Sequence, residues 1–165
     1  MTERGGRRKE LTHTDAAGRA RMVSVSATAD TLRTARAEGS ISRNAGALDA
    51  IGTNAVSKGE WVATARIAGR MAAKRTSELI HLCHPLLLSD VGVELELDHA
   101  LPGVRARAWA TSKGPTGVEM EALTAVTVAL LTIYDMAKAL DRGMEISRIH
   151  LTEKRGGKSG DWTRD

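Results

Sequence analysis

Residues Gly117 to Leu140, GVEMEALTAVTVALLTIYDMAKAL, decide the fold. Apolar side chains fill almost every position from Ala122 to Tyr134, and no Gly or Pro interrupts them, which predicts one long helix. A helix apolar nearly all round belongs in a core. A bilayer span needs roughly 20 apolar residues, and this run is shorter and punctuated by Thr, so protein rather than lipid is expected to cover it. One stripe is nevertheless polar. At about 100° per residue, Glu121, Thr124, Thr127, Asp135 and Lys138 share a face, with Leu131 among them. By pattern alone this stripe fits either the wet edge of the helix or the wall of a cleft. Asp135 and Lys138, three residues apart, are close enough to touch.

Working outward, Val91 to Asp98 (VGVELELD) and Val104 to Ala110 (VRARAWA) alternate apolar and polar residues around a turn-like Leu101-Pro102-Gly103. That pattern predicts an antiparallel hairpin. Glu145 to Thr152 predicts a last strand and Met22 to Ser26 (MVSVS) a first one. Ala27 to Glu38 is rich in helix formers, with Gly39 as a stop. Residues 42–51 read as a short helix capped by Ser42 or Asn44, and Gly52 to Gly59 as a loop carrying Lys58. Trp61 to Leu79 predicts an Ala-rich helix, broken at His81 to Pro85 because proline disfavours helix at the residue before it. The expected class is α+β, an antiparallel sheet with helices packed on one face. It forms one domain over residues 11–162, after a disordered lead of residues 1–10, and ends in a flexible Gly/Lys-rich tail.

At 165 residues the chain is long enough for one real core. Aromatics make up 2%, with no Phe, so the core must be built from Ala, Val, Leu, Ile and Met. Such small residues favour close helix packing. The net charge is +4, and the first ten residues, MTERGGRRKE, supply +2 of it. A near-neutral body without aromatic platforms argues against nucleic acid as a partner. The single cysteine, Cys83, excludes an intrachain disulfide and suits a reducing cytoplasm. The N-terminus has charge but no apolar stretch, unlike a secretory leader.

Four groups of residues invite chemistry. His81, Cys83 and His84 are metal-ligand types, but a structural zinc site needs four ligands and no second Cys exists. A histidine held in a loop before proline is better read as a hydrogen-bonding partner for a substrate. Lys154-Arg155-Gly156-Gly157-Lys158-Ser159-Gly160 is not a Walker loop, because Thr152 stands where the first glycine is required and no helix follows. Its glycines can still bring backbone N–H groups up to an anion. Glu119 and Glu121 suit the first turn of a helix or a site at its entrance. Lysines serve as acids or bases once neighbours tune them. Lys138 beside Asp135 is the better-placed candidate, although the carboxylate would both orient it and hold its proton.

Taken in order, Leu11-Thr12-His13, Lys58-Gly59, Ala63 to Gly69, Leu82-Cys83-His84-Pro85, Thr116 to Ala125, Leu131 to Met136 and Gly156 to Gly160 resemble the cyclic pyranopterin monophosphate synthases. These form the molybdenum cofactor biosynthesis protein C family. The resemblance spans nearly the whole chain. It implies a ferredoxin-like fold assembled as a homohexamer, a trimer of dimers, with active sites at subunit interfaces. It implies conversion of 3′,8-cyclo-7,8-dihydro-GTP to cyclic pyranopterin monophosphate with release of pyrophosphate, in the cytoplasm. No redox cofactor, resident metal or membrane is implied; magnesium would enter only on the substrate phosphates.

By motif, Asp135, Lys138 and Lys58 match catalytic positions. Leu82, Cys83, His84, Glu119, Met120 and Glu121 match substrate contacts, and Arg33, Lys154 and Lys158 match basic residues serving the phosphates. Two departures stand out: His81 where the family often has Pro, and Pro115 where it often has Lys, which leaves that loop position without a cation. The competing reading is a non-catalytic nucleotide- or anion-binding module, which would need the basic residues but not Asp135 or paired lysines.

Overall fold

The computed structural model describes residues 12–15, 17–42 and 58–165, with backbone only at residues 58 and 59. Among the described residues, five strands and three helices follow in the order β1 (Thr31–Ser42), α1 (Lys58–Lys74), α2 (Thr76–Leu79), β2 (Asp90–Asp98), β3 (Gly103–Gly114), α3 (Glu119–Ala137), β4 (Glu145–Arg155) and β5 (Trp162–Thr163). The strands form one sheet in the order β2-β3-β1-β4-β5, antiparallel throughout. Two βαβ units, β1-α1-β2 and β3-α3-β4, interleave so that β1 and β3 are neighbours. That is the ferredoxin-like arrangement. Helix α3 lies over β1, β3 and β4 and packs against α1, which also covers β2. Both long helices therefore occupy one face, as expected.

The core is small-residue packing. Ala35, Ala37 and Ile41 of β1, and Val104, Ala106, Ala108 and Ala110 of β3, are buried beneath Ala122, Ala125, Val126, Ala129, Leu130 and Ile133 of α3. On α1 the buried stripe is Trp61, Ala65, Gly69, Ala72 and Ala73. A Cβ on Gly69 would lie 2.7 Å from the Ala125 carbonyl oxygen and 3.2 Å from the Ala129 Cβ. Gly69→Ala is therefore expected to push α1 off α3. Overpacking costs about 1–3 kcal/mol, while the gain in helix propensity returns at most ~1 kcal/mol. A denaturant midpoint below the wild type's at unchanged slope would be the readout; an unchanged or raised midpoint would contradict the close packing.

The hairpin β2-β3, helices α1 and α3 and strand β4 fall where the sequence placed them. Two expectations fail at the start of the chain. Residues 27–38, read as helix, contain the first two-thirds of β1. The run Ala35-Arg36-Ala37-Glu38-Gly39-Ser40-Ile41-Ser42 alternates small or apolar residues with polar ones. Its inward positions are small because α3 presses on them. A Cβ on Gly39 would meet Val126 Cγ1 and Ile149 Cγ1 at 2.9 Å. Alanine here serves close sheet–helix approach, and tertiary packing overrides its helix propensity. Met22 to Ser26, read as a strand, is irregular, and among the described residues no strand pairs with it. The helix expected at 42–51 and the loop at 52–57 lie outside the described residues, save that Ser42 ends β1. Lys58 and Gly59 open α1 rather than ending a loop.

The Gly/Lys-rich tail extends the sheet. It turns at Gly156–Gly160 and returns as β5, pairing Thr163 with Glu153 and Trp162 with Lys154. Contrary to expectation, α3 is long and apolar enough to cross a bilayer by length and composition, but half of that window is buried inside the protein.

Candidate active site

Two loops meet at the N-terminal end of α3. The first leaves α2, where the Cys83 N–H donates to the Ile80 carbonyl at 2.9 Å and Pro85 prevents further helix. The second, Gly114 to Gly117, enters α3. With the turn around His13 they enclose a cleft of about 280 Å³. Its wall carries Leu82, Cys83 and His84 from one loop and Glu119, Met120 and Glu121 from the helix. All six were selected from sequence. His13, Leu86, Thr116 and Gly117 complete the lining.

His13 was not selected, although it stands in the Leu11-Thr12-His13 opening that marked the resemblance. Its turn is held by Asp15, whose Oδ1 accepts the N–H groups of Ala17 and Arg19, both at 2.9 Å. The Arg21 N–H also donates to the His13 carbonyl at 2.9 Å.

The polar stripe of α3 divides along its length. Glu121 and Thr124 are buried, while Thr127, Leu131, Asp135 and Lys138 are exposed. Burial pushes the Glu121 carboxyl up to about 7; its own backbone N–H pulls it down, and the nearby Glu119 charge pushes it up further. Burial, followed by the Glu121 charge, also raises the Cys83 thiol. At neutral pH Glu121 can therefore stand in the cleft as a protonated acid that donates a hydrogen bond.

Glu119 lines the cleft on one side and, on the other, a narrow crevice with Arg33, Thr34, Lys154 and Gly156. Lys154 Nζ lies 3.6 Å from Glu119 Oε1 and donates to Ser159 Oγ at 2.5 Å. Lys158 is exposed on the adjoining turn. Arg33 donates from Nε to the Gly114 carbonyl and from Nη2 to the Pro115 carbonyl, each at 3.0 Å. The structure thus gathers the cleft residues with Arg33 and Lys154 around one helix entrance.

It does not bring Asp135 and Lys138 there. They pair at 2.5 Å near the opposite end of α3, with side chains 70% and 56% exposed. At 1.5 Å rise per residue, that end is about 20 Å from Glu121. The Asp135 hydrogen bond, then its charge, raises the Lys138 ammonium above the usual lysine range, so the proton-holding effect prevails over desolvation. Lys58 begins α1, and its side chain lies outside the described residues. Among the described residues, no group of three or more His, Cys, Asp or Glu side chains is placed to hold a metal, and His81, Cys83 and His84 form no such set.

Fold and cleft define a ferredoxin-like α+β protein with an acid-lined pocket at one helix end and basic groups beside it. The sequence model of the MoaC family matches residues 22–157. A cyclic pyranopterin monophosphate synthase from Methylobacterium sp. (strain 4-46) is 60% identical over 155 residues, covering 94% of this chain and 97% of its own length. Proteins of the same name from Brucella ovis (strain ATCC 25840 / 63/290 / NCTC 10512) and Methylobacterium nodulans (strain LMG 21967 / CNCM I-2342 / ORS 2060) are 58% and 60% identical. They align over 93% and 91% of this chain and 93% and 94% of their own lengths. The chain belongs to the MoaC family.

Proposed function

We propose that this protein is a cyclic pyranopterin monophosphate synthase, a phosphorus–oxygen lyase acting early in molybdenum cofactor biosynthesis. It would take 3′,8-cyclo-7,8-dihydro-GTP to cyclic pyranopterin monophosphate and release pyrophosphate. One observation carries the reading: the cleft gathers Leu82 to His84 with Glu119 to Glu121, in a chain matched over nearly its full length by relatives bearing that name.

Closing a cyclic phosphate while pyrophosphate leaves is a displacement at phosphorus. Its rate rests on positioning and charge neutralisation. Lys154, Lys158 and the charge of Arg33 supply cations beside the cleft for the phosphates. His84, Glu119 and Glu121 hold the base and ribose portions, with Glu121 able to donate as an acid near neutrality. Rebuilding a purine into a pterin requires proton transfers, which Lys58 and Lys138 perform, Asp135 orienting Lys138. No redox cofactor takes part; magnesium, where present, arrives on the phosphates.

The separation of about 20 Å along α3 keeps Lys138 of one chain from the cleft of that same chain. The reading therefore builds each site from two copies, the cleft of one protomer and the Asp135–Lys138 pair of another, within a cytoplasmic homohexamer arranged as a trimer of dimers. Exposed apolar side chains on the helical layer, Ile67 and Met71 on α1 and Leu131 on α3, support burial between copies.

A single-turnover assay with the cyclised GTP derivative, following pyrophosphate and the pterin by mass spectrometry, tests the reading. Both products in equal amounts are expected. Tight binding with no product would replace the synthase by an anion-binding module.

A further inference from the structure

Arg33 is a basic residue beside a site for a triphosphate, and by charge alone it reads as a phosphate ligand. Its contacts say otherwise. An arginine grips a phosphate or carboxylate best through a two-pronged edge of the guanidinium. In Arg33 the edge formed by Nε and Nη2 is already occupied, one N–H on the Gly114 carbonyl and the other on the Pro115 carbonyl. The remaining nitrogen is covered from the other side. A Cβ on Gly157 would lie 2.3 Å from Nη1, and one on Gly156 would lie 2.2 Å from the Leu32 carbonyl oxygen. Both glycines have left-handed φ, +83° and +82°, a conformation that lets this turn sit directly on Leu32 and Arg33.

We propose that Arg33 is a positioning residue that pins the Gly114–Gly117 loop and the Gly156–Gly157 turn to the end of β1. It thereby sets Lys154 against Glu119 across the crevice instead of holding a phosphate itself. This rests on the site reading above. The two pinned segments are the ones the site depends on: the first delivers Glu119, Met120 and Glu121, and the second carries Lys158 and Ser159 next to Lys154. A lysine at position 33 would keep the charge but lose the planar fork that reaches two carbonyls at once.

The test compares Arg33→Lys, Arg33→Ala and Gly157→Ala with the wild type in the assembled protein. Without substrate, amide hydrogen exchange in residues 116–118 and 156–160 should accelerate together by about tenfold in both Arg33 variants, with β2 and β3 unchanged. In turnover, Arg33→Lys should be as impaired as Arg33→Ala, by about 100-fold in kcat, while inorganic pyrophosphate binds Arg33→Lys with the wild-type salt dependence. Gly157→Ala, with every charge in place, should lower kcat without adding to the Arg33→Lys loss.

A near-wild-type rate in Arg33→Lys with both segments still protected, together with lost pyrophosphate affinity in Arg33→Ala, would overturn the proposal and make Arg33 a direct phosphate ligand. The exchange measurement needs no turnover. A wild type that makes no product would therefore refute the synthase reading while the exchange rates still decide the role of Arg33.

Discussion

Replacing Lys138 by alanine is expected to abolish turnover, by 1,000-fold or more, on the order of the loss of a general acid–base group, and to leave the fold intact. The second half of that statement follows from exposure. The Lys138 ammonium bonds Asp135, and more than half of its side chain is in water, so its removal leaves the core packing in place. The first half follows from the proposed proton transfers. Asp135→Asn sharpens the test. The Asp135 carboxylate holds the Lys138 proton by hydrogen bond and charge, so its neutral isostere should let that proton leave more readily. If Lys138 acts in its protonated form, the basic limb of the pH–rate profile moves to lower pH in Asp135→Asn. A Lys138→Ala enzyme that kept a near-normal rate would remove Lys138 from the chemistry.

The second large effect is on stability and centres on Glu121. Glu121 is 4% exposed, and its carboxyl is raised from an ordinary value of 4.5 to about 7. Because the folded value lies above the unfolded one, the folded protein keeps a proton that the unfolded chain gives up as pH rises. The stability contribution is complete below pH 4.5 and is lost as pH climbs through 7. At about 1.4 kcal/mol per pH unit, the loss across that window is roughly 3 kcal/mol per protomer. Glu121→Gln is neutral at every pH and should flatten this slope, ending more stable than wild type at pH 8. Glu119 and Cys83, the titratable neighbours, are present in both proteins and largely cancel in the comparison. Denaturant unfolding at fixed protein concentration from pH 4.5 to 8 is the measurement. Parallel slopes for the two proteins would show that Glu121 ionises freely in the folded state.

Much of the architecture was legible from periodicity. Strands β2 and β3 alternate cleanly, and the central helix has no breaker between Ala122 and Tyr134. β1 was hidden because its inward residues are Ala and Gly, whose local preferences say helix or turn. Only the approach of α3 explains them. Met22 to Ser26 shows the reverse failure: it alternates, yet no strand among the described residues pairs with it.

At the site, Cys83, His84, Glu119 and Glu121 stood out by residue type in a Pro-broken loop and at a helix entrance, whereas Leu82 and Met120 entered only through the family resemblance. The burial of Glu121 was not readable. It shares a polar stripe with Asp135 and Lys138, and only packing separates the buried members from the wet ones. Nor could sequence find the fork of Arg33, which bonds to carbonyls about 80 residues away and carries no side-chain signature.

The central claim is that each site joins the cleft of one protomer to the Asp135–Lys138 pair of another. The most direct measurement mixes two inactive variants, Lys138→Ala, with its cleft intact, and His84→Ala, with its pair intact, after dissociation and reassembly. Composite sites predict that activity returns, to about a quarter of the wild-type rate for an equal random mixture of protomers. If both halves of a site came from one chain, every site in the mixture would keep one defect and no activity would return.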